Sequence, residues 1–157
     1  MKTELYRVIK TIDTTHLLES DLVELLDLFK TTKNILIRDF LALIFSEKHY
    51  NRAVPFILKK IHEKSSFNNN GTLVFALGEL NTDKHFISLI KIICEQDYEA
   101  RLTAYGIVEK MSFSISNSEK KKAIEILKGQ LIQSEKFDDD KGENSRLHFI
   151  EQTLKLL

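Results

Sequence analysis

The sequence has few of the residues that form tight turns. Pro55 is the only proline, glycine occurs five times in 157 residues, and tryptophan is absent. A sandwich or a barrel of many short strands needs frequent turns that are rich in glycine and proline. The composition therefore disfavours these all-β classes and makes a helical fold the expectation.

Cysteine is scarce as well. Cys94 is alone, inside an apolar run at residues 89–94, so no disulfide can form within the chain and a reducing compartment is expected. No apolar stretch approaches the roughly 20 residues that a bilayer-spanning helix needs. The first residues, MKTELYRVIKTID, mix charged and apolar side chains and lack the apolar block of a signal peptide. We expect a cytoplasmic protein with no membrane partner, folded as a single domain over residues 1–157.

A net charge of either sign is also missing. Lys and Arg number 23, and so do Asp and Glu. A chain without net charge has no overall field that would steer it to nucleic acid or to an anionic membrane. Nucleic acid is therefore not expected as a partner.

What the sequence does contain is a repeat. One apolar stripe occurs three times along the chain. Equivalent positions, such as Leu22 and Val54, are separated by a constant offset of about 32 residues. The copies are Leu22, Leu25, Leu26 and Phe29; Val54, Ile57, Leu58 and Ile61; and Phe86, Leu89, Ile90 and Ile93. Each copy has the i, i+3, i+4, i+7 spacing of one helix face.

A second stripe, less regular than the first, precedes each of these three helices, and a fourth copy of it follows the last of them. Its copies are Leu5, Val8, Ile9 and Ile12; Ile37, Phe40, Leu41 and Ile44; Leu73, Ala76, Leu77 and Leu80; and Ala104, Ile107, Val108 and Met111. Two helices in each repeat of about 32 residues are typical of an α-solenoid.

Several residues mark the expected helix boundaries. Asp21, with Glu24 three residues later, and Asp97 are predicted N-caps. Pro55 is expected in the first turn of its helix, where a missing N–H is tolerated. Loops are expected at residues 65–71 and 112–118, and a last helix from about Ser145 to Leu157.

Three segments resemble the signature of HEAT repeats. They are VFALGELNTD (residues 74–83), similar to a first helix and its turn; DYEAR (residues 97–101), similar to the Asp and Arg that open a repeat; and RAVPFI (residues 52–57), similar to the start of a second helix. The resemblance covers roughly residues 33–134 and departs at Asn70, where the repeat usually has arginine. It implies an all-α fold: a short right-handed α-α superhelix, a HEAT/ARM-like solenoid of about four helix pairs with a C-terminal capping helix.

Motifs of enzymes and cofactor sites are not found in the sequence. The five histidines show neither HxxxH nor HExxH spacing, and no GxGxxG or GxxxxGK segment occurs. The acidic run at residues 138–143 has its glycine at the wrong position for a calcium loop and is interpreted as a surface loop. We expect no catalytic residue, no metal and no cofactor.

Two further residue types are interpreted as structural. Cys94 continues an apolar helical run and is expected to be buried and inert. Gly78 and Gly106 each stand alone inside a helix and are expected to allow close helix packing.

Charged residues outside the apolar stripes also follow the repeat. The same offset pairs Arg52 with Lys84, and Lys59 with Lys91. Equivalent positions on successive second helices of a solenoid form a row on one face, usually the concave one. The candidate partner-binding residues are Arg52, Lys59, Lys60, Lys84, Lys91 and Lys128. The N-terminal end of this face is expected to be acidic, through Glu19, Asp21, Glu24 and Asp27.

This charge pattern has two interpretations. A face with separate acidic and basic ends would favour fast, salt-sensitive association with a complementary partner. Tyr50, Phe56 and Tyr98 could act there as aromatic anchors. Alternatively, the charges are only the solvated sides of amphipathic helices, and the aromatic residues belong to the core.

A binding role is the functional class that these features favour. The leading expectation is a non-catalytic protein-binding module, in its specific form a bacterial immunity protein that neutralises a toxin, since small HEAT-like chains resemble such proteins. One alternative is a scaffold or adaptor for an enzyme, similar to the HEAT-repeat phycobilin lyase subunits. The other is a DNA-binding protein similar to the HEAT-like alkylpurine glycosylases, which the balanced charge and the missing tryptophan disfavour. The sequence gives no indication of an oligomeric state.

Overall fold

The apolar stripes form helices at the predicted positions. The computed structural model describes residue 7, residues 9–137 and residues 142–157, without the side chains of residues 134–137. In this part of the chain there are eight α-helices and no strand. The helices are α1 (Glu19–Thr31), α2 (Ile35–Glu47), α3 (Val54–Ile61), α4 (Gly71–Leu77), α5 (Phe86–Glu95), α6 (Tyr98–Met111), α7 (Asn117–Phe137) and α8 (Arg146–Leu156).

The helices are arranged in two rows. The first-helix row contains α2, α4, α6 and α8, the first helices of successive pairs and the C-terminal helix. Within this row, α4 packs against both α2 and α6, and α6 packs against α8. The second-helix row contains α1, α3, α5 and α7, each of which packs against a member of the first row. Most stripe residues of both rows, among them Phe29, Leu41, Ile57 and Leu89, are buried in the core between them, and the others that the structure describes are partly buried against it. The prediction of an all-α superhelix is confirmed.

The predicted helix pairs are present in the structure wherever their residues are described. The pairs α2–α3, α4–α5 and α6–α7 are complete, and α8 follows them at the predicted C-terminal position. The stripe predicted for the first helix of the chain includes Leu5 and Val8, which lie outside the described residues. Ile9 from the same stripe is buried.

Local side-chain hydrogen bonds explain most helix starts. Asp97 Oδ1 accepts from the Ala100 N–H at 3.1 Å, which confirms the predicted N-cap of α6. Ser145 Oγ caps α8 by accepting from the His148 N–H at 3.0 Å. Pro55 lies in the first turn of α3, as predicted.

The predicted N-cap at Asp21 is wrong. Helix α1 begins two residues earlier, at Glu19, and its N-cap position is Leu18. Asp21 is the third residue of the helix, where its carboxylate accepts from the Leu18 N–H at 2.8 Å. An acidic residue can satisfy a free N–H at a helix start from this inner position as well as from the N-cap, so the sequence alone did not distinguish the two.

Glycine 106 does not have the predicted packing role. It lies in the middle of α6, and a Cβ built on it would meet no atom within 4 Å. No neighbouring helix therefore requires the absence of a side chain at this position. The interpretation that Gly106 allows close helix packing is wrong.

We expect Gly106→Ala to stabilise the protein by about 0.5–1 kcal/mol, because alanine has the higher helix propensity and restricts the unfolded chain. Urea denaturation followed by circular dichroism measures the change. A loss of stability would show that the helix needs glycine for a reason other than packing.

Candidate functional site

A ladder of buried polar side chains positions the first-helix row. Arg38 on α2, Asn70 at the start of α4 and Arg101 on α6 occupy equivalent repeat positions, and all three are buried. The Asn70 amide donates to the Ile61 carbonyl at 3.0 Å and to Gln96 Oε1 at 2.8 Å. Arg38 donates to Asn70 Oδ1 at 3.4 Å and to the Asn69 carbonyl.

The ladder continues towards the C-terminus. Arg101 donates to the Gln96 carbonyl at 2.8 Å and to the Asn144 carbonyl at 3.3 Å, which connects α6 to the start of α8. Because buried polar groups must be hydrogen-bonded, this network fixes how successive first helices stand relative to one another. Asn70, which departs from the HEAT pattern, is thus a member of the ladder.

The predicted basic residues fall into two groups. Lys59, Lys84, Lys91 and Lys128 are exposed, on α3, in the turn before α5, on α5 and on α7. Arg52 is exposed too, but its guanidinium pairs with Glu19 at 3.2 Å.

Lys60 differs from the other predicted lysines because its side chain is only 14% exposed. It turns towards the preceding pair, where its Nζ lies 3.4 Å from the Thr32 carbonyl. The structure thus separates Lys60 from the exposed lysines with which it was grouped.

Most of the predicted acidic residues of α1 form hydrogen bonds or ion pairs with neighbouring residues. Asp21 caps its own helix, Glu19 pairs with Arg52, and Asp27 pairs with Lys30 at 2.9 Å. Among the four, Glu24 is an exposed carboxylate with no ion pair inside the described part of the chain.

The three aromatic residues predicted as anchors have different environments. Tyr50 is buried and packs against Phe45, with ring centroids 5.7 Å apart, so it belongs to the core. Phe56 is partly buried under the Lys30 ammonium, which lies 4.4 Å from its ring centroid. Tyr98 is exposed and lies on the first-helix row rather than near the lysines.

An apolar groove runs across the first-helix row. It is a cavity of about 500 Å³ lined by Leu43 of α2, Gly71, Thr72 and Phe75 of α4, and Glu99, Leu102 and Thr103 of α6. Phe75 is 60% exposed and Leu102 is 46% exposed. Large apolar side chains exposed together around one concavity, rather than singly, are typical of a binding surface.

The groove continues towards the C-terminal helix. Leu102 also lines a second cavity of about 460 Å³, between α6 and α8. Tyr98 and Tyr105 form one wall of this cavity, and both rings contact Phe149, with centroids 6.1 and 5.8 Å away. Apolar surface therefore extends from α2 to α8.

Carboxylates lie beside this apolar surface. A smaller cavity of about 200 Å³ next to the groove is lined by Asp39, Asp97 and Glu99. Glu99 and Glu143 contribute to the two larger cavities, and among the described residues no lysine or arginine lines any of the three. Burial raises the pKa of the Asp39 carboxyl, although the Arg38 guanidinium beside it acts in the opposite direction.

The groove was not predicted from the sequence, although two of its apolar residues are separated by the repeat offset. Leu43 and Phe75 occupy the same position in successive repeats, and both are exposed. Gly71 lies one helical turn before Phe75, and a Cβ there would lie 2.9 Å from Glu99 Oε2. The core stripe and the charge pattern do not include these positions, because apolar residues outside the core stripe belong to neither pattern.

Burial makes the single cysteine unreactive. Cys94 is buried on α5, and this burial, together with the nearby Glu95, raises the pKa of its thiol to about 12. The thiolate is the reactive form. We expect Ellman's reagent to leave the folded protein unmodified at about pH 8 and to modify the urea-unfolded chain fully. Rapid modification of the folded protein would contradict the buried placement.

His62, at the end of α3, is half-buried and introduces a pH dependence. Its Nδ1 lies 3.8 Å from Glu95, and its buried Nε2 has no hydrogen-bond partner in the described part of the chain. Burial lowers the pKa of His62 below its ordinary value of 6.5, and the Lys91 ammonium acts in the same direction, while Glu95 opposes both. Protonation therefore favours the unfolded chain, in which the imidazole is solvated.

This sign predicts a loss of stability as the pH falls. Above the unfolded pKa the imidazole is neutral in both states and makes no difference. Between about pH 7 and pH 5 the unfolded state binds the proton more readily, so the free energy of unfolding decreases. His62→Gln should weaken this decrease, whereas His16→Gln, a change at an exposed histidine, should retain it. Urea titrations at both pH values measure the free energy of unfolding. An equal decrease of this free energy between pH 7 and pH 5 in the two variants would contradict the prediction.

Two further properties concern the described residues alone. They contain no group of three His, Cys, Asp or Glu side chains arranged to hold a metal ion. None of the helices that they form is both long and apolar enough to cross a membrane.

Comparison of the chain with protein-family models, with curated proteins and with solved structures finds no match. The function is therefore inferred from the surfaces of the protein itself.

Proposed function

We propose that the protein is a non-catalytic binding module of HEAT-like repeats that recognises another protein through the apolar groove. The observation that carries this proposal is the exposure of Leu43, Phe75 and Leu102 around one concavity on three successive first helices. Buried aromatic and aliphatic anchors supply most of the binding energy at protein interfaces. The ladder connects the same three helices that line the groove and holds them in place, which reduces the entropic cost of binding.

The charges around the groove define the partner's chemistry. Glu99 lines the groove, and Asp39, Asp97 and Glu143 line the adjoining cavities, while no lysine or arginine lines any of them among the described residues. The complementary partner is a protein segment that presents an apolar side chain flanked by lysine or arginine. An acidic partner surface would be repelled here and would suit the exposed lysines of the second-helix row.

The narrower form of the proposal is an immunity protein that binds and neutralises a toxin. It rests on the resemblance to small HEAT-like chains with this role, and on a reducing compartment, the cytoplasm, as expected from the single Cys94. Co-expression with the partner's toxic domain should restore growth of the host cell. An unaffected partner activity would favour the scaffold or adaptor alternative instead.

Affinity capture from the cells that produce the protein tests the module itself. The tagged chain is used at moderate salt with nuclease, beside Phe75→Asp and the double variant Lys59→Glu with Lys91→Glu. We expect one stoichiometric protein that the wild type and the lysine variant retain and Phe75→Asp loses. Retention by Phe75→Asp with loss in the lysine variant would move the site to the basic row. Nuclease-sensitive nucleic acid without a protein would support the DNA-binding alternative.

A further inference from the structure

A further cleft is lined by Arg38, whose ion-pair partner Asp39 lines the small cavity beside the apolar groove. It is a cavity of about 530 Å³ between the α1–α2 turn and the segment that follows α3. The lining residues that bear on its chemistry are Lys30, Lys33, Ile35, Arg38, Lys60 and Glu63. Four of these side chains are cationic, and one, Glu63, is anionic. The volume is within the range of small-molecule sites.

Lys60 is the central cation of the cleft. Its side chain is largely buried, yet its Nζ lies 3.4 Å from the Thr32 carbonyl and 3.9 Å from Glu63 Oε2. Both distances exceed those of good charge-assisted hydrogen bonds. A largely buried ammonium that has only long contacts to its acceptors gains from an anion that approaches it more closely.

The other cations of the cleft differ in availability. Lys33 is exposed and has no hydrogen bond or ion pair within the described part of the chain. Lys30 is held at 2.9 Å by Asp27, and Arg38 is held by Asp39. Lys33 is therefore free to bind a ligand, and Lys60 is held only by its two long contacts, to the Thr32 carbonyl and to Glu63. The two paired cations add positive potential at the sides.

We propose that this cleft binds a phosphate monoester of a small organic molecule. Lys33 and Lys60 donate to the phosphate oxygens, and the exposed Ser65 lies beside them at the rim. Lysine is a common phosphate ligand that acts as a point charge. The cavity is larger than a phosphate group, so the organic part occupies the space towards Ile35. This site is separate from the apolar groove and does not depend on it.

Amide NMR titration of the full-length ¹⁵N-labelled protein tests the site. The probes are inorganic pyrophosphate and glycerol 3-phosphate, with glycerol as the control ligand. We expect saturable shifts at amides near Lys33, Lys60 and Ser65 with both phosphates and none with glycerol. No saturable shift with either phosphate, or shifts spread over the exposed lysines of α5 and α7, would overturn the proposal.

Substitutions sharpen this test. Lys33→Ala and Lys60→Gln should each weaken binding about tenfold or more, because each removes one charge-assisted contact. Lys59→Gln is the matched control, since Lys59 is a neighbouring lysine on α3 that does not line the cleft. Lys33 is exposed, so its variant remains folded and is decisive if Lys60→Gln is unstable. Equal affinity in Lys33→Ala and Lys59→Gln would overturn the proposal.

Discussion

Replacing Asn70 with alanine is expected to lower the free energy of unfolding by about 2–4 kcal/mol, because buried polar partners would lose their hydrogen bonds. The Asn70 side chain is fully buried and donates to the Ile61 carbonyl and to Gln96 Oε1. It also accepts from Arg38. Without the amide, the Gln96 oxygen and one Arg38 donor stay buried and lose this partner. Urea denaturation followed by circular dichroism measures the loss.

Asn69→Ala is the matched control. The Asn69 side chain is exposed, and within the described part of the chain its amide makes one hydrogen bond, at 3.4 Å, to the Phe67 carbonyl. Its backbone carbonyl still accepts from Arg38 after the substitution. The control should change the free energy of unfolding by no more than about 0.5 kcal/mol. Similar stability of the two variants would mean that the ladder does not stabilise the first-helix row.

Phe75→Asp is expected to weaken binding of the captured protein about 100-fold or more, because it removes a central apolar anchor. It also places a second carboxylate near Glu99, in the groove that lacks lining lysine and arginine. Because the Phe75 ring is mostly exposed, the folded state loses little packing. Isothermal titration with the purified partner measures the affinity, and circular dichroism checks the fold.

Phe113 offers a control for the same substitution. Its side chain is 93% exposed, in the loop between α6 and α7, and lines none of the cavities of the first-helix row. Phe113→Asp should leave the affinity unchanged. If both variants bind as the wild type does, the apolar groove is not the binding surface.

Most of the fold could be predicted because burial imposes a period on the sequence. Core positions recur once in every helix pair, and the structure buries residues such as Val54 and Phe86 that share one such position. The exact first residue of a helix is harder to predict than its buried face. Asp97 is an N-cap, whereas Asp21 caps α1 from inside the helix, and these two roles use the same residue type.

The candidate site was harder to predict, since surface positions are not constrained by packing. Lys60 and Lys59 are adjacent in sequence, but one is largely buried in a cleft and the other is solvated. The periodicity alone could not separate them. Gly71 opens the groove through a missing side chain, and a sequence pattern of apolar and charged residues does not register such a feature.

Site-specific photocrosslinking in the producing cells tests the central claim most directly. A photoreactive phenylalanine analogue is placed at position 75, in the groove, and in a separate variant at position 91, on the exposed side of α5. If the protein binds its partner through the first-helix row, position 75 gives a discrete protein adduct and position 91 does not. An adduct from position 91 alone would contradict the account and assign binding to the basic row.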